Sequence, residues 1–299
     1  MILVVGATGL LGGSITQQLL KKGEDVRILI RQNSPSEEMA KQGLATSAHL
    51  LIDAGAEPIY GDLKDPGSLV NACLGVETVI TTANSILRGG EDTIESVDCR
   101  GTQELIDAAQ GAGVGHFIYT SARGVHIDHP NPFFRAKAAC EERLVASGMN
   151  YTILKPGMFM EVWIGAVVGI PFRSGLPITL VGHGNHRHIF VAIKDVVDYA
   201  VTAVTHPAAH NAEVLIGGAH SYSWTQIVKT VEEVTGRSLQ INYAPLDSSV
   251  PLIPEVMSSM MSALEMYDDE MDMRATAAIY GIEPTPLETF AEEFFGVPA

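Results

Sequence analysis

The sequence predicts an α/β fold organised on a doubly wound parallel sheet, and three observations carry that prediction. The chain opens on an apolar, β-branched run that stops at Gly6 and passes through a glycine-rich turn into the amphipathic stretch Leu10–Leu20. Strand-like and helix-like segments then alternate without a break as far as Leu154, the pattern of parallel strands joined by crossover helices. The length, 299 residues with 46% hydrophobic content, is enough to bury a sizeable core. No apolar run approaches the length of about eighteen residues that a membrane span requires.

The opening turn carries the first chemical signal. Its glycines fall at Gly6-x-x-Gly9-x-x-Gly12, directly after a strand and directly before a helix. Such a turn lets a dinucleotide pyrophosphate approach bare backbone at a helix N-terminus, where free N–H groups and the helix dipole favour negative charge. A side chain at those positions would hold the phosphates off. Gly6, Thr8, Gly9, Leu10, Leu11 and Gly12 therefore form the candidate phosphate cradle. The spacing differs from the G-x-G-x-x-G of common dehydrogenases.

The other elements follow in order. Gly23 closes the first helix, and Asp25–Ile30 reads as the second strand. A site that prefers NAD places a carboxylate near the end of this strand, where it accepts hydrogen bonds from the ribose 2′-OH. Here the strand ends in Arg31-Gln32-Asn33-Ser34. Arg31 can meet a 2′-phosphate, and Asn33 and Ser34 can donate to it, so NADP(H) is favoured over NAD(H). Ser36–Ala54 is helical in pattern, and Glu57–Tyr60 is a third strand ending in Gly61-Asp62-Leu63. In a doubly wound sheet that strand end lies beside the adenine, so Asp62 and Leu63 are candidate ring contacts. Asp62, with Asp65-Pro66 after it, also reads as the cap of the next helix. Val76–Thr82 is the fourth strand, with Thr82, Ala83 and Asn84 along the middle of the cofactor. A helix with apolar Ile94, Val97, Leu105 and Ile106 precedes the fifth strand, His116–Ser121. A polar loop leads into a helix from Phe133, closed by Gly148, and the sixth strand, Tyr151–Leu154, runs into Lys155-Pro156-Gly157-Met158.

Charge and cysteine usage narrow the partners. A net charge of −16 repels phosphate backbones and anionic lipid, and no basic patch offsets it, so neither nucleic acid nor membrane is expected as a partner. Cys73, Cys99 and Cys140 lie far apart, which suggests neither a disulfide framework nor a zinc ribbon. The first strand begins at residue 2 with no signal peptide before it, and a cytoplasmic location is expected.

These motifs, in this order, resemble the atypical short-chain dehydrogenase/reductase group, in particular its NmrA-like and isoflavone-reductase-like branch. GATGLLGG, VRILIR, YGDL, YTSARG, FFRAKAACEERLVASGMNYTILKPGMF and HIFVAIKDVVDYAV carry the resemblance. It implies a Rossmann doubly wound parallel sheet of about seven strands with a smaller C-terminal substrate lobe. Residues 1–156 would form the NAD(P)-binding domain, joined by segments around 187–216, and 157–299 would be mainly the substrate lobe. The family's strand-end serine falls on Ser121 and its lysine on Lys137. Its active-site tyrosine would stand one helical turn before that lysine, and the chain has Phe133 there. A phenyl ring cannot titrate. Either Lys137 takes the acid/base role, as the resemblance to isoflavone reductases implies, or it binds the cofactor ribose without moving a proton. A lysine near Arg135 or a cationic nicotinamide would have its pKa lowered toward neutrality.

After the sixth strand, Pro156 and Met158 are placed at the cofactor, and Ser121, Phe133, Phe159, Trp163 and His186 are candidate substrate contacts beside the nicotinamide site. An apolar stretch of this kind also reads as plain core. His183-Gly184-Asn185-His186-Arg187-His188 has poor spacing for a chelate and no accompanying carboxylate, so no metal is predicted. Ser223 is the expected cap of a helix reaching Gly236. The methionine-rich segment 251–273 reads as core, lid or subunit contact, and the chain as a monomer or homodimer. The function expected is an NADPH-dependent reductase of a small hydrophobic carbonyl, quinone or conjugated compound, with Lys137 supplying or relaying the proton and Ser121 bonding the substrate oxygen. The alternatives are a non-catalytic NADP(H)-sensing regulator and a pathway enzyme, epimerase or unusual oxygenase, on the same scaffold.

Overall fold

The structure, a computed structural model, describes residues 1–296 except 33–35, 42, 44 and 87–89. The chain divides into two compact units, residues 1–155 with 196–215, and residues 156–195 with 216–299.

The first unit is built on a seven-stranded sheet. Its strands are β1 (Ile2–Val5), β2 (Val26–Ile30), β3 (Glu57–Tyr60), β4 (Thr78–Thr81), β5 (His116–Thr120), β6 (Asn150–Pro156) and β10 (Ala212–Ile216), in the order β3-β2-β1-β4-β5-β6-β10. The first six pair in parallel, with Ile2 opposite both Val26 and Thr78, and His116 opposite both Thr78 and Asn150. This is the Rossmann order, and it puts the β1 and β4 carboxyl ends side by side at the point where the strand order reverses. Strands β1, β4 and β5 are buried throughout, and β1 accordingly reads as a continuous apolar run rather than an alternating one. Leu3, Val5, Val79, Phe117 and Ile153 pack on one face against Leu105, Ile106 and Leu144 from the helices that follow.

The helices of this unit are α1 (Leu10–Lys21), α2 (Ser36–Lys41), α3 (Ala48–Asp53), α4 (Pro66–Cys73), α5 (Thr102–Gly111), α6 (Pro132–Ala146) and α9 (Ile193–Ala203), the last shared across the division between units. Two differ from the sequence expectation. The single helix expected over Ser36–Ala54 is two short ones: Gly43 takes a left-handed φ of 72°, and Ser47 starts α3 by accepting the Leu50 N–H. The helix expected from Ile94 begins as eight residues of π-helix, Ile94–Gly101, capped by a reciprocal Thr93–Ser96 box. Asp65, not Asp62, caps α4, taking the N–H groups of Gly67 and Ser68.

The second unit has its own core. It contains β7 (Met158–Phe159), α7 (Met160–Ile164), a π-helical turn over Gly165–Gly169, α8 (Ile170–Ser174), β8 (Ile178–Val181), β9 (His188–Val191), β11 (Ser221–Tyr222), α10 (Trp224–Thr235), β12 (Ile241–Ala244), α11 (Glu255–Leu264), α12 (Arg274–Tyr280) and α13 (Leu287–Phe295). Strand β9 pairs with β7 and β11, while β8 pairs with β12, so the two runs flanking the histidine-rich turn belong to different sheets. Ser223 caps α10 through a reciprocal box with Gln226, as its position predicts. Phe190, Trp224, Ile227, Phe290 and Phe295 centre the core, joined by Met257 and Met261 from the methionine-rich segment. No helix among the described residues is long and apolar enough to cross a membrane.

Candidate cofactor and proton-transfer site

The glycine turn lies at the end of β1 in the first unit, and its three glycines do different work. Gly6 has a φ of 92°, and a Cβ there would sit 2.7 Å from Thr82 Oγ1 and 2.9 Å from the Ala83 nitrogen. A Cβ on Gly12 would meet the Gly6 carbonyl oxygen and stand 2.7 Å from Thr82 Oγ1. These two glycines therefore let the chain close on itself. Gly9 is different: its φ and ψ of −78° and 167° suit any residue, and its Cβ would approach only the Gly6 oxygen, at 3.3 Å. Gly9 is also the N-cap of α1 and offers no capping side chain, so the first N–H groups of the helix are not taken up by a side-chain cap. A helix N-terminus left open behind a bare glycine fits a pyrophosphate. Thr8 belongs to the same turn and is held from behind, its carbonyl accepting the Thr46 N–H at 2.9 Å.

At the β4 end, Thr82 N–H donates to the Val5 carbonyl at 3.0 Å, which ties this loop to the turn. Ala83 is buried, and Asn84 accepts the Ile86 N–H at 3.1 Å through its side-chain oxygen.

Arg31 follows β2 and is paired with an acid. Its Nη1 donates to Asp92 Oδ2 at 2.6 Å, and Lys64, just after β3, donates from Nζ to Asp92 Oδ1 at 2.7 Å. The cation pair lines a cavity of 580 Å³ with Gln32, Gly61, Asp62 and Glu91. Asn33 and Ser34, expected to join Arg31, lie outside the described residues. Asp62 lines the same cavity, while the Leu63 side chain is buried in the core of the unit, so the ring contact expected of Leu63 is not available to that side chain.

Lys137 projects from α6 and is buried among apolar groups. Its Nζ donates to the Thr120 carbonyl at 2.8 Å and lies 5.0 Å from the ring centres of both Tyr119 and Phe133. No carboxylate forms an ion pair with it among the described residues. Burial pushes its pKa below the ordinary lysine value, against the opposing pull of Asp98, Cys140 and Glu141. Arg135, which the sequence suggested as the cause, instead donates to the carbonyls of His129 and Pro130 at 2.7 and 2.8 Å. Phe133 occupies the turn of helix before Lys137, as the spacing predicts, and gives the ammonium a π face in place of a hydroxyl.

Ser121 is 4% exposed, and its hydroxyl donates to Glu141 Oε1 at 2.5 Å. Glu141 also pairs with Lys155 at 2.9 Å, and Lys155 with Glu213 at 2.7 Å. Burial alone would lower the Lys155 pKa, but its two carboxylate partners hold it above the ordinary lysine value. This chain ties β5, α6, β6 and β10 together, and in it the Ser121 hydroxyl donates to a carboxylate. Sequence reasoning missed Glu141, although its position four residues after Lys137 on one helix face was a usable signal. It also missed Asp98, a buried acid of the π-helix that takes the Ser85 N–H at 3.0 Å and its hydroxyl at 2.5 Å.

The remaining candidates belong to the second unit. Pro156 ends β6, and Gly157 is pinned by its N–H to the Ile216 carbonyl at 2.9 Å. Met158 and Phe159 form β7 and are half-buried. Trp163, offered as a substrate contact, is 9% exposed and packs in the core of the unit, because α7 turns its apolar side inward. His186 pairs with Asp268 at 3.3 Å, and the Glu265 carboxylate holds the preceding turn through the N–H groups of His183 and Gly184. Among the described residues no group of three His, Cys, Asp or Glu side chains is placed to hold a metal ion.

Comparison with known proteins fits this geometry. The chain is 29% identical to photosystem II assembly factor Ycf39 of Trieres chinensis over 94% of its own length and 82% of that protein. It is 26% identical to an NAD(P)H azoreductase of Xenophilus azovorans, over 80% of this chain and 76% of that one. Among solved structures, the triphenylmethane reductase of Citrobacter sp., complexed with NADP(H), superposes with a TM-score of 0.78 at 20% identity, covering 99% of this chain and all of that one. The NmrA-like family model matches residues 1–294, and the chain belongs to that family.

Proposed function

We propose that the protein is an NADPH-dependent reductase of a small hydrophobic carbonyl, quinone or conjugated compound, with Lys137 as the proton donor or relay. The observation that carries this reading is the Lys137 amine, buried between two aromatic rings with one carbonyl as its hydrogen-bond partner. An amine whose pKa is depressed by burial gives up its proton more readily than an ordinary lysine, as a general acid must. The open N-terminus of α1 behind Gly9 would hold the pyrophosphate, and Arg31 would face the 2′-phosphate. The bound dihydronicotinamide would supply the hydride. The chain's own residues bind, orient and exclude water, and Lys137 delivers the proton to the atom that becomes anionic. The azoreductase relative supports a redox reading. In this reading the first unit binds the nucleotide, the second forms most of the substrate lobe, and the half-buried Met158 and Phe159 stand as cofactor and substrate contacts.

A second reading, an NADP(H)-sensing protein without turnover, draws on Phe133, which removes the phenol used for ordinary carbonyl reduction, and on the assembly-factor relative. Stopped-flow oxidation of NADPH against a panel of quinones, enones and azo dyes separates the two. Turnover that falls steeply in Lys137→Met at unchanged NADPH affinity supports the reductase. Tight NADPH binding with no turnover on any acceptor refutes it in favour of the sensor.

A further inference from the structure

We infer that the site beside Lys137 recognises a carbonyl or quinone acceptor that carries an O–H or N–H donor next to its reducible oxygen, with Ser121 accepting the hydrogen bond of that donor and Glu141 as the positioning residue that holds Ser121 in the accepting state. The inference rests on the reductase reading and deepens it by naming the class of acceptor.

Helix periodicity sets the pair up. Lys137 and Glu141 are one turn apart on α6 and therefore face the same way. They reach consecutive residues at the carboxyl end of β5: Lys137 Nζ donates to the Thr120 carbonyl at 2.8 Å, and Glu141 Oε1 accepts the Ser121 hydroxyl at 2.5 Å. Ligands of doubly wound sheets bind outside the carboxyl ends of the strands, near the point where the strand order reverses, and β5 lies beside β4 there. The Lys137 amine and the Ser121 oxygen are thus neighbours in one dry region, on residues 5% and 4% exposed.

What each can offer a ligand follows from the bonds it already makes. The lysine spends one N–H on Thr120 and keeps others, so it donates to a ligand oxygen. The serine hydroxyl has a single hydrogen, and Glu141 takes it. Glu141 also pairs with Lys155 at 2.9 Å, and against the lowering effect of burial the two carboxylate partners hold Lys155 above the ordinary lysine pKa. A carboxylate paired with an ammonium accepts hydrogen bonds and does not donate them. An O–H···O⁻ bond is roughly twice as strong as a neutral one, so turning the hydrogen toward a ligand carbonyl would exchange the stronger bond for the weaker. Ser121 therefore meets the ligand with lone pairs. A carbonyl oxygen set against them is repelled, whereas an O–H or N–H is bound.

The charges suit an uncharged ligand. Glu141 is matched by Lys155, and Lys137 has the buried Asp98 within electrostatic reach. The remaining acid, Glu213, meets Lys155 from the solvent side, with its side chain 56% exposed.

The test compares menadione with its amino analogue, in which N–H donors replace the ring methyl group at nearly constant size. Affinities are measured by isothermal titration calorimetry on the full chain in the presence of NADP⁺, in wild type, Ser121→Ala and Glu141→Gln, with circular dichroism to confirm folding. Wild type is expected to bind the amino analogue about tenfold more tightly than menadione. The gap should close to within about twofold in Ser121→Ala, which removes the accepting oxygen and leaves the Glu141–Lys155 pair in place. It should narrow in Glu141→Gln, whose carboxamide can donate to Ser121 and free the hydroxyl hydrogen. Equal or weaker binding of the amino analogue by wild type, or binding of neither quinone, overturns the inference, and so does a gap that persists in Ser121→Ala. A purely structural role for Glu141 would weaken both quinones alike and leave the gap at its wild-type size, which overturns it too. NADPH oxidation by the two quinones reads the reductase proposal separately. An amino preference in binding with no NADPH oxidised refutes the reductase and leaves the recognition standing; oxidation of NADPH with equal affinity for both quinones does the reverse.

Discussion

Replacing Gly9 and Gly12 separately with alanine should split folding from nucleotide binding. At Gly12 the added methyl would run into the Gly6 carbonyl and stand 2.7 Å from Thr82 Oγ1. The Gly6 contact is backbone inside a tight turn, so the turn must open by an ångström or so, and overpacking of this kind costs about 1–3 kcal/mol. Alanine recovers up to about 1 kcal/mol of helix propensity, since Gly12 lies in the first turn of α1, so a net loss of about 1–2 kcal/mol is expected. At Gly9 the methyl meets a single atom at 3.3 Å, in a backbone region open to any residue. Stability there should stay within about 0.5 kcal/mol of wild type, helped by the smaller entropy of the unfolded chain. The same methyl stands at the mouth of the α1 N-terminus, so Gly9→Ala should weaken NADPH binding about tenfold or more. Urea unfolding gives the stabilities and fluorescence titration the affinities. A Gly12→Ala protein as stable as wild type, or a Gly9→Ala protein that binds NADPH normally, would refute the division of roles between the two glycines.

Two further predictions concern buried titratable groups. Lys137 has a folded pKa below its ordinary value of 10.5, so between the two only the unfolded chain holds the proton, and stability rises with pH across that window. Lys137→Met should therefore be more stable than wild type at pH 6, with the advantage shrinking as the pH approaches 10.5; a difference that does not vary with pH would contradict the buried amine. His116, bonded to Thr152 Oγ1 at 2.8 Å, is pushed down by burial to about 4 from 6.5. Wild type should lose stability as pH falls from 6.5 toward 4, and His116→Asn should flatten that slope in urea titrations at stepped pH.

The parts of the fold that were legible in the sequence are those set by local chemistry. An apolar run of four residues closed by Gly6 marked β1, because a strand buried on both faces has no polar position to place. The spacing Phe133-x-x-x-Lys137 put the two side chains on one helix face without reference to anything else in the chain. What the sequence did not show is a partner that comes from far away. Arg31 meets an acid 61 residues on, and Ser121 meets one 20 residues on from another element. No periodicity carries such pairs, since they depend on which strand ends the sheet order brings together. Trp163 is ambiguous for a related reason: an apolar residue after a strand looks the same in sequence whether it lines a pocket or fills a core, and the core it joins includes Phe290 and Phe295 from the C-terminal helix.

Lys137 shows how the legible and illegible parts combine. The sequence places it one turn from a phenylalanine, and that alone leaves open a ribose ligand or an acid. The sheet register then sets Thr120 beneath it, with Tyr119 on one side, and α6 sets Phe133 on the other. With a tyrosine at 133, a hydroxyl would stand in the site and a charged lysine would serve to lower its pKa. With phenylalanine there, the same cation has two π faces and one carbonyl, none of which can accept its proton. The phenylalanine removes the phenol, and on the reductase reading proposed above Lys137 is the group in these surroundings that would take its part.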